Sequence, residues 1–84
     1  MQTNNHYATT DTSLASYLIT CGFALNRIDY SGQRFSFHFE GDYDSIKSQE
    51  TQYIAGLARV DPATYSRVMR NLQRNISERT QWRQ

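Results

Sequence analysis

The segment Val60–Ile76, V-D-P-A-T-Y-S-R-V-M-R-N-L-Q-R-N-I, sets the tightest limit on what this chain can fold into. Asp61 followed by Pro62 is a helix start. The carboxylate can cap unbonded N–H groups, and proline at the first helical position lacks only an N–H that no helix bond would use. Val60 and Tyr65 stand where a hydrophobic staple closes across such a start. Tyr65, Val68, Met69, Leu72 and Ile76 recur at i, i+3, i+4, i+7 and i+11, a stripe that needs an apolar surface to lie on. Arg67, Arg70, Asn71 and Arg74 repeat that spacing on the opposite side.

The chain must find its core within 84 residues. That length makes one domain (1–84) the expectation, with residues 1–6 and 80–84 frayed. So short a chain buries a modest fraction of its surface, so aromatic side chains have to supply much of the core. Six Tyr, four Phe and one Trp are available. Net charge is +1, too little for a general polyelectrolyte binder. The charge is uneven, however. Residues 1–60 carry four basic and six acidic side chains, whereas residues 61–84 carry five Arg against Asp61 and Glu78. This points weakly to an anionic partner at the C-terminal end, set against the plainer reading of a solvated helix face.

Ahead of the last helix, Tyr7–Thr9 reads as extended, with Tyr7 docking on the core. Thr10 is the expected N-cap of a first helix, with Asp11 behind it favouring the positive end of the helix dipole. Leu14, Tyr17, Leu18 and Cys21 form its apolar face, and Gly22 with Phe23 forms its stop. Cys21 on that face reads as a small buried hydrophobe rather than a nucleophile. In R-F-S-F-H-F-E, Phe35, Phe37 and Phe39 alternate with Arg34, Ser36, His38 and Glu40, a strand with one buried face and one wet face. Ser31-Gly32 as a two-residue loop pairs this strand with the preceding one, setting Ile28 opposite Phe35 and Asp29 opposite Arg34. Phe23 and Leu25 differ in parity from Ile28 and Tyr30, which requires a bulge near Asn26-Arg27. Asp42 or Asp44 opens a second helix with a sparse apolar face of Ile46, Tyr53, Ile54 and Leu57, and Gly56 ends it.

The expected fold is therefore α+β in the order α-β-β-α-α. A two-stranded antiparallel hairpin (about 23–30 and 33–40) packs against three helices (about 11–21, 44–55 and 62–79). The last helix is expected to cover the Phe face.

The pattern Tyr7-x-Thr9-x-Asp11-x-x-Leu14-Ala15-x-Tyr17-Leu18, then Gly22-Phe23, continues through Gly32-x-Arg34-Phe35-x-Phe37-x-Phe39. Tyr53-x-x-Gly56, Val60-Asp61, Tyr65 and Leu72 complete it. These residues resemble a small domain family of unknown function found in bacteriophage and bacterial genomes. Thr12 departs from the apolar residue the family tends to carry there, and Gln73 from its usual Lys. The resemblance implies a phage or mobile-element setting and no catalytic residues.

The residues themselves hold little chemistry. His6 and His38 are the only histidines, one in the N-terminal stretch and one on a wet strand face, so no metal-ligand spacing is visible. Ser36, His38 and Glu40 share a strand face, but same-face neighbours stand about 6–7 Å apart, too far for a catalytic relay. Asp42 and Asp44 fit helix capping better than paired catalysis. No phosphate-binding glycine loop or zinc-protease motif occurs. The chain is expected to be no enzyme, with no cofactor, metal, membrane span or small-molecule substrate. The N-terminus lacks an apolar signal region, and the expected compartment is the cytoplasm of a bacterium or an infected host cell.

Two functions remain. One is an accessory or adaptor protein acting through protein–protein contact or self-association, through exposed strand edges. The alternative is a weak nucleic-acid-binding module that lays Arg67, Arg70, Asn71 and Arg74 along phosphates over about 10 Å of helix. In that reading Lys47 and Arg59 extend the patch, and Tyr30, Tyr43 or Trp82 stack on bases.

Overall fold

The computed structural model describes residues 6–31 and 34–82. Its elements are β1 (His6–Thr9), α1 (Thr12–Thr20), β2 (Ala24–Ser31), β3 (Arg34–Glu40), α2 (Tyr43–Ile54) and α3 (Pro62–Trp82). The class is α+β, as expected, but the sheet has three antiparallel strands in the order β1-β3-β2. The expected hairpin is present, and β1 adds a third strand on its far side, pairing Tyr7 with Phe39 and Thr9 with Phe37. Four residues are too few to display a strand period, and their pairing partner lies some thirty positions downstream. Of the ends expected to fray, residues 1–5 and 83–84 lie outside the described residues; His6 opens β1, and residues 80–82 belong to α3.

The β2–β3 register is displaced by two residues from the expected one. Ile28 faces Phe37, Asp29 faces Ser36, and Ser31 is itself paired with Arg34. The expected loop at Ser31-Gly32 is thus corrected at Ser31, while Gly32 lies outside the described residues. A shift of two leaves every side chain on its original face, so the hydrophobic pattern cannot tell the two registers apart. The register break between Leu25 and Arg27 puts the bulge at Asn26, as the change of parity required.

Asp11, not Thr10, caps α1. Its Oδ1 accepts from the N–H groups of Ser13 (2.9 Å) and Leu14 (3.2 Å). A carboxylate there both bonds the free N–H groups and meets the positive end of the dipole. At the other end Gly22 takes φ +106°, and the N–H groups of Gly22 and Phe23 return to the carbonyls of Ile19 (2.9 Å) and Leu18 (3.1 Å). That is a complete Schellman stop. Gly56 closes α2 in the same way. Asp42 caps α2 through the N–H of Ser45 at 3.0 Å. Asp61 accepts from both the N–H and the hydroxyl of Thr64, each at 2.8 Å.

The core is organised around α1. All five residues from Leu14 to Leu18 are buried, Ala15, Ser16 and Leu18 completely. Ser16 is tolerated there because its hydroxyl donates to the Thr12 carbonyl at 2.9 Å. Against α1 lie Phe37 and Phe39 of the sheet, Ile46 of α2 and Leu72 of α3. Here α3 departs from expectation: its backbone runs alongside α1 rather than the sheet, and of its stripe only Leu72 is buried, the others being half-buried. Tyr65 reinforces this by donating from its hydroxyl to the Ser13 carbonyl at 3.3 Å. Two further expectations fail at the edges of the core. Cys21 is exposed, because α1 ends there and the chain turns away. Ile54 and Leu57 are 73% and 66% exposed, leaving Ile46 as the buried anchor of α2.

Candidate functional site

Arg67, Arg70, Asn71 and Arg74 are all exposed on α3. None of the three Arg takes part in the ion pairs found among the described residues, which join Arg27 and His38 to Asp29 and Lys47 to Glu50. The helix therefore presents the Arg face that the spacing implied. Of the groups expected to extend it or to stack on bases, Arg59 is exposed, whereas Lys47, Tyr30 and Tyr43 are otherwise engaged. Lys47 is held by Glu50 at 2.8 Å, Tyr30 packs on Phe35 with ring centroids 4.6 Å apart, and Tyr43 packs near Tyr7 at 6.0 Å. The Trp82 side chain lies outside those described.

A concave feature formed by described residues lies elsewhere, along β1. A cleft of about 510 Å³ is lined by His6–Thr10, by Ser36 of β3, and by Tyr43, Lys47 and Glu50 on one face of α2. Among the described residues, no strand pairs with β1 on the side away from β3. Asp42 begins α2 directly after β3, so the helix runs back beside β1 and brings positions 43, 47 and 50 to the cleft. Tyr7 anchors the strand. Burial pushes its phenol well above the ordinary range, and the Glu50 carboxylate beside it adds to the effect. That direction keeps the phenol protonated, as a hydrogen-bond donor. Oε1 of Glu50 is buried and is paired with the Lys47 ammonium 2.8 Å away, which balances its charge. Glu50 in turn raises the Lys47 pKa, mainly by hydrogen bonding. The walls thus combine a phenol, a carboxylate, an ammonium and a hydroxyl with the backbone of an edge strand.

The outer face of the sheet carries a second constellation, which sequence reasoning missed. Nε2 of His6 lies 2.8 Å from Nδ1 of His38, and Nε2 of His38 lies 3.1 Å from Oδ2 of Asp29. Arg27 donates to the same carboxylate from Nε at 3.1 and 3.2 Å. A line of polar groups therefore crosses all three strands. Burial lowers the His38 pKa, with Arg27 and His6 acting the same way and Asp29 opposing them. The missing signal was the pairing of Ala8 with His38, which seats His6 beside that imidazole. Asp29 faces this cluster instead of the expected Arg34. Among the described residues, no group of three or more His, Cys, Asp or Glu side chains is placed to hold a metal ion.

A family model described as a domain of unknown function (DUF5659) matches residues 4–78. The chain belongs to that family. The match takes in every element of the DUF5659 domain from β1 into the last turns of α3, and with them the cleft, the histidine pair and the Arg face. No curated protein and no solved structure shows significant similarity to the chain. No helix among the described residues is long and apolar enough to cross a membrane.

Proposed function

We propose that this domain is a non-enzymatic binding module that receives an extended segment of a partner protein along β1. The observation that carries this reading is the cleft itself: a strand paired with one other strand among the described residues, facing side chains that supply donors and acceptors. An unpaired edge offers alternate backbone N–H and C=O groups to an incoming strand, and flanking pockets add selectivity. A volume of about 510 Å³ falls within the range of sites that enclose a small ligand or a few residues of peptide. The cytoplasm of a bacterium or a phage-infected cell, with a host factor as the partner, is the setting we assign to it.

The test is a screen of the full chain against a library of extended peptides, followed by amide NMR. A true ligand shifts the resonances of residues 6–10 and 43–50, and its affinity falls in Lys47→Glu. If no peptide perturbs those resonances, the reading is overturned.

A second reading rests on the exposed Arg67, Arg70 and Arg74, which take part in none of the ion pairs among the described residues. Here the domain holds the phosphates of a nucleic acid on α3. Binding of a short duplex and of a single strand is then steeply salt-dependent and disappears in the triple Ala variant. Binding that ignores salt, or that survives the triple change, excludes it.

A further inference from the structure

The other edge of the sheet has its own logic. β2 pairs with β3 on one side only, and no other element of the described structure runs along its outer side. A strand paired on one side keeps the alternate set of its backbone groups pointing outward. The bulge at Asn26 lies towards the start of β2 and leaves residues 27–31 regular. This stretch contains no Pro and no Lys, two of the devices that blunt strand edges.

We infer that β2 is a self-pairing edge that joins two copies of this chain about a two-fold axis through Ile28, extending the sheet from three strands to six. The argument is one of charge and register. For both copies to keep their helices on the same side of the joined sheet, residues of like facing must stand opposite each other, so the axis must pass through a residue. An axis through Arg27 sets Arg27 against its own copy, and one through Asp29 does the same with two carboxylates. An axis through Ile28 sets Arg27 opposite Asp29 of the second copy, and Asp29 opposite Arg27, on the wet face. Directly opposed side chains stand about 4.5–5.5 Å apart at Cβ, so opposite charges there attract and like charges repel.

Both side chains remain about half exposed and already share an ion pair within one chain at 3.1 Å. Pairing two copies converts that single contact into a square of four alternating charges. On the opposite face it sets Ile28, only 7% exposed, beside its own copy and carries the apolar layer across the axis.

The test uses the full chain in sedimentation or light-scattering runs over a concentration series up to millimolar. The parent is expected to dimerise. Arg27→Asp places two carboxylates opposite each other, and Asp29→Arg two cations, so each single variant self-associates at least about tenfold more weakly. A mixture of these two variants restores opposite charges across the axis, and a heterodimer forms. Circular dichroism establishes that both variants are folded, and the mixture supplies the positive control if the Asp29 change disturbs His38. A parent that stays monomeric, or single variants that dimerise as well as the parent, overturns the inference. So does a mixture that does not associate. Neither Arg27 nor Asp29 lines the cleft along β1, so this edge can fail while the β1 reading stands.

Discussion

The imidazoles of His6 on β1 and His38 on β3 stack across the paired strands. Their nearest ring nitrogens are 2.8 Å apart, their centroids 4.9 Å, and their planes 28° from parallel. One imidazole must donate and the other accept. With the Nε2 proton of His38 directed at Asp29, its Nδ1 accepts from Nε2 of His6. This contact ties β1, which contributes only four residues, to the middle strand.

His38 should make stability fall in acid. The folded-state pKa of His38 is lowered from its ordinary value of 6.5, so as pH drops below about 6.5 the unfolded chain takes up its proton first. Protons then favour unfolding until the folded-state pKa is passed. The urea midpoint is expected to decline over that window, and His38→Gln should decline less. Equal slopes for parent and variant would assign the acid sensitivity to other groups.

Leu18 of α1 is fully buried, whereas Ile54 of α2 is 73% exposed. Leu18→Ala should cost about 2–5 kcal/mol in urea unfolding, through lost transfer energy and the cavity left behind. Ile54→Ala should stay within about 0.5 kcal/mol. Comparable losses at the two sites would mean that α1 is not the centre of the core.

Asp11 and Thr10 make opposite predictions about the start of α1. Removing the Asp11 carboxylate strands two backbone N–H groups, and Asp11→Ala should cost about 1 kcal/mol. Thr10→Ala should fall within about 0.5 kcal/mol. Thermal or urea denaturation of the two variants separates them.

At Gly22 the cost of a side chain is conformational. A Cβ there would meet nothing within 4 Å, but φ is +106°. Gly22→Ala is therefore expected to lose about 1–3 kcal/mol from backbone strain alone. A neutral result would show that the turn relaxes to another geometry.

Much of the fold was legible because its signals are local. Asp61-Pro62, the stops at Gly22 and Gly56, and the alternation of Phe37 and Phe39 each act within a turn or two of their own position. The bulge at Asn26 could be read because the parity of β2 changes there. What escaped was long-range. The histidine pair needed the β1–β3 pairing, the cleft needed α2 set beside β1, and the exposure of Cys21, Ile54 and Leu57 depended on where neighbouring elements stop. The Arg face of α3 was legible because periodicity alone separates it from the Leu72 stripe, and its side chains are exposed.

The sequence by itself determined the α+β class, the three helices and most of their ends, the hairpin and its bulge, and the two faces of α3. Hydrogen-bond capping and side-chain periodicity act over a few residues and need no knowledge of the rest of the chain. Tertiary structure alone decided that α1 is buried nearly all round, that β3 is the middle strand, and that β1 and β2 are the outer strands of the described sheet. Those outcomes depend on which apolar faces meet, and a face records that it must be covered without recording by what.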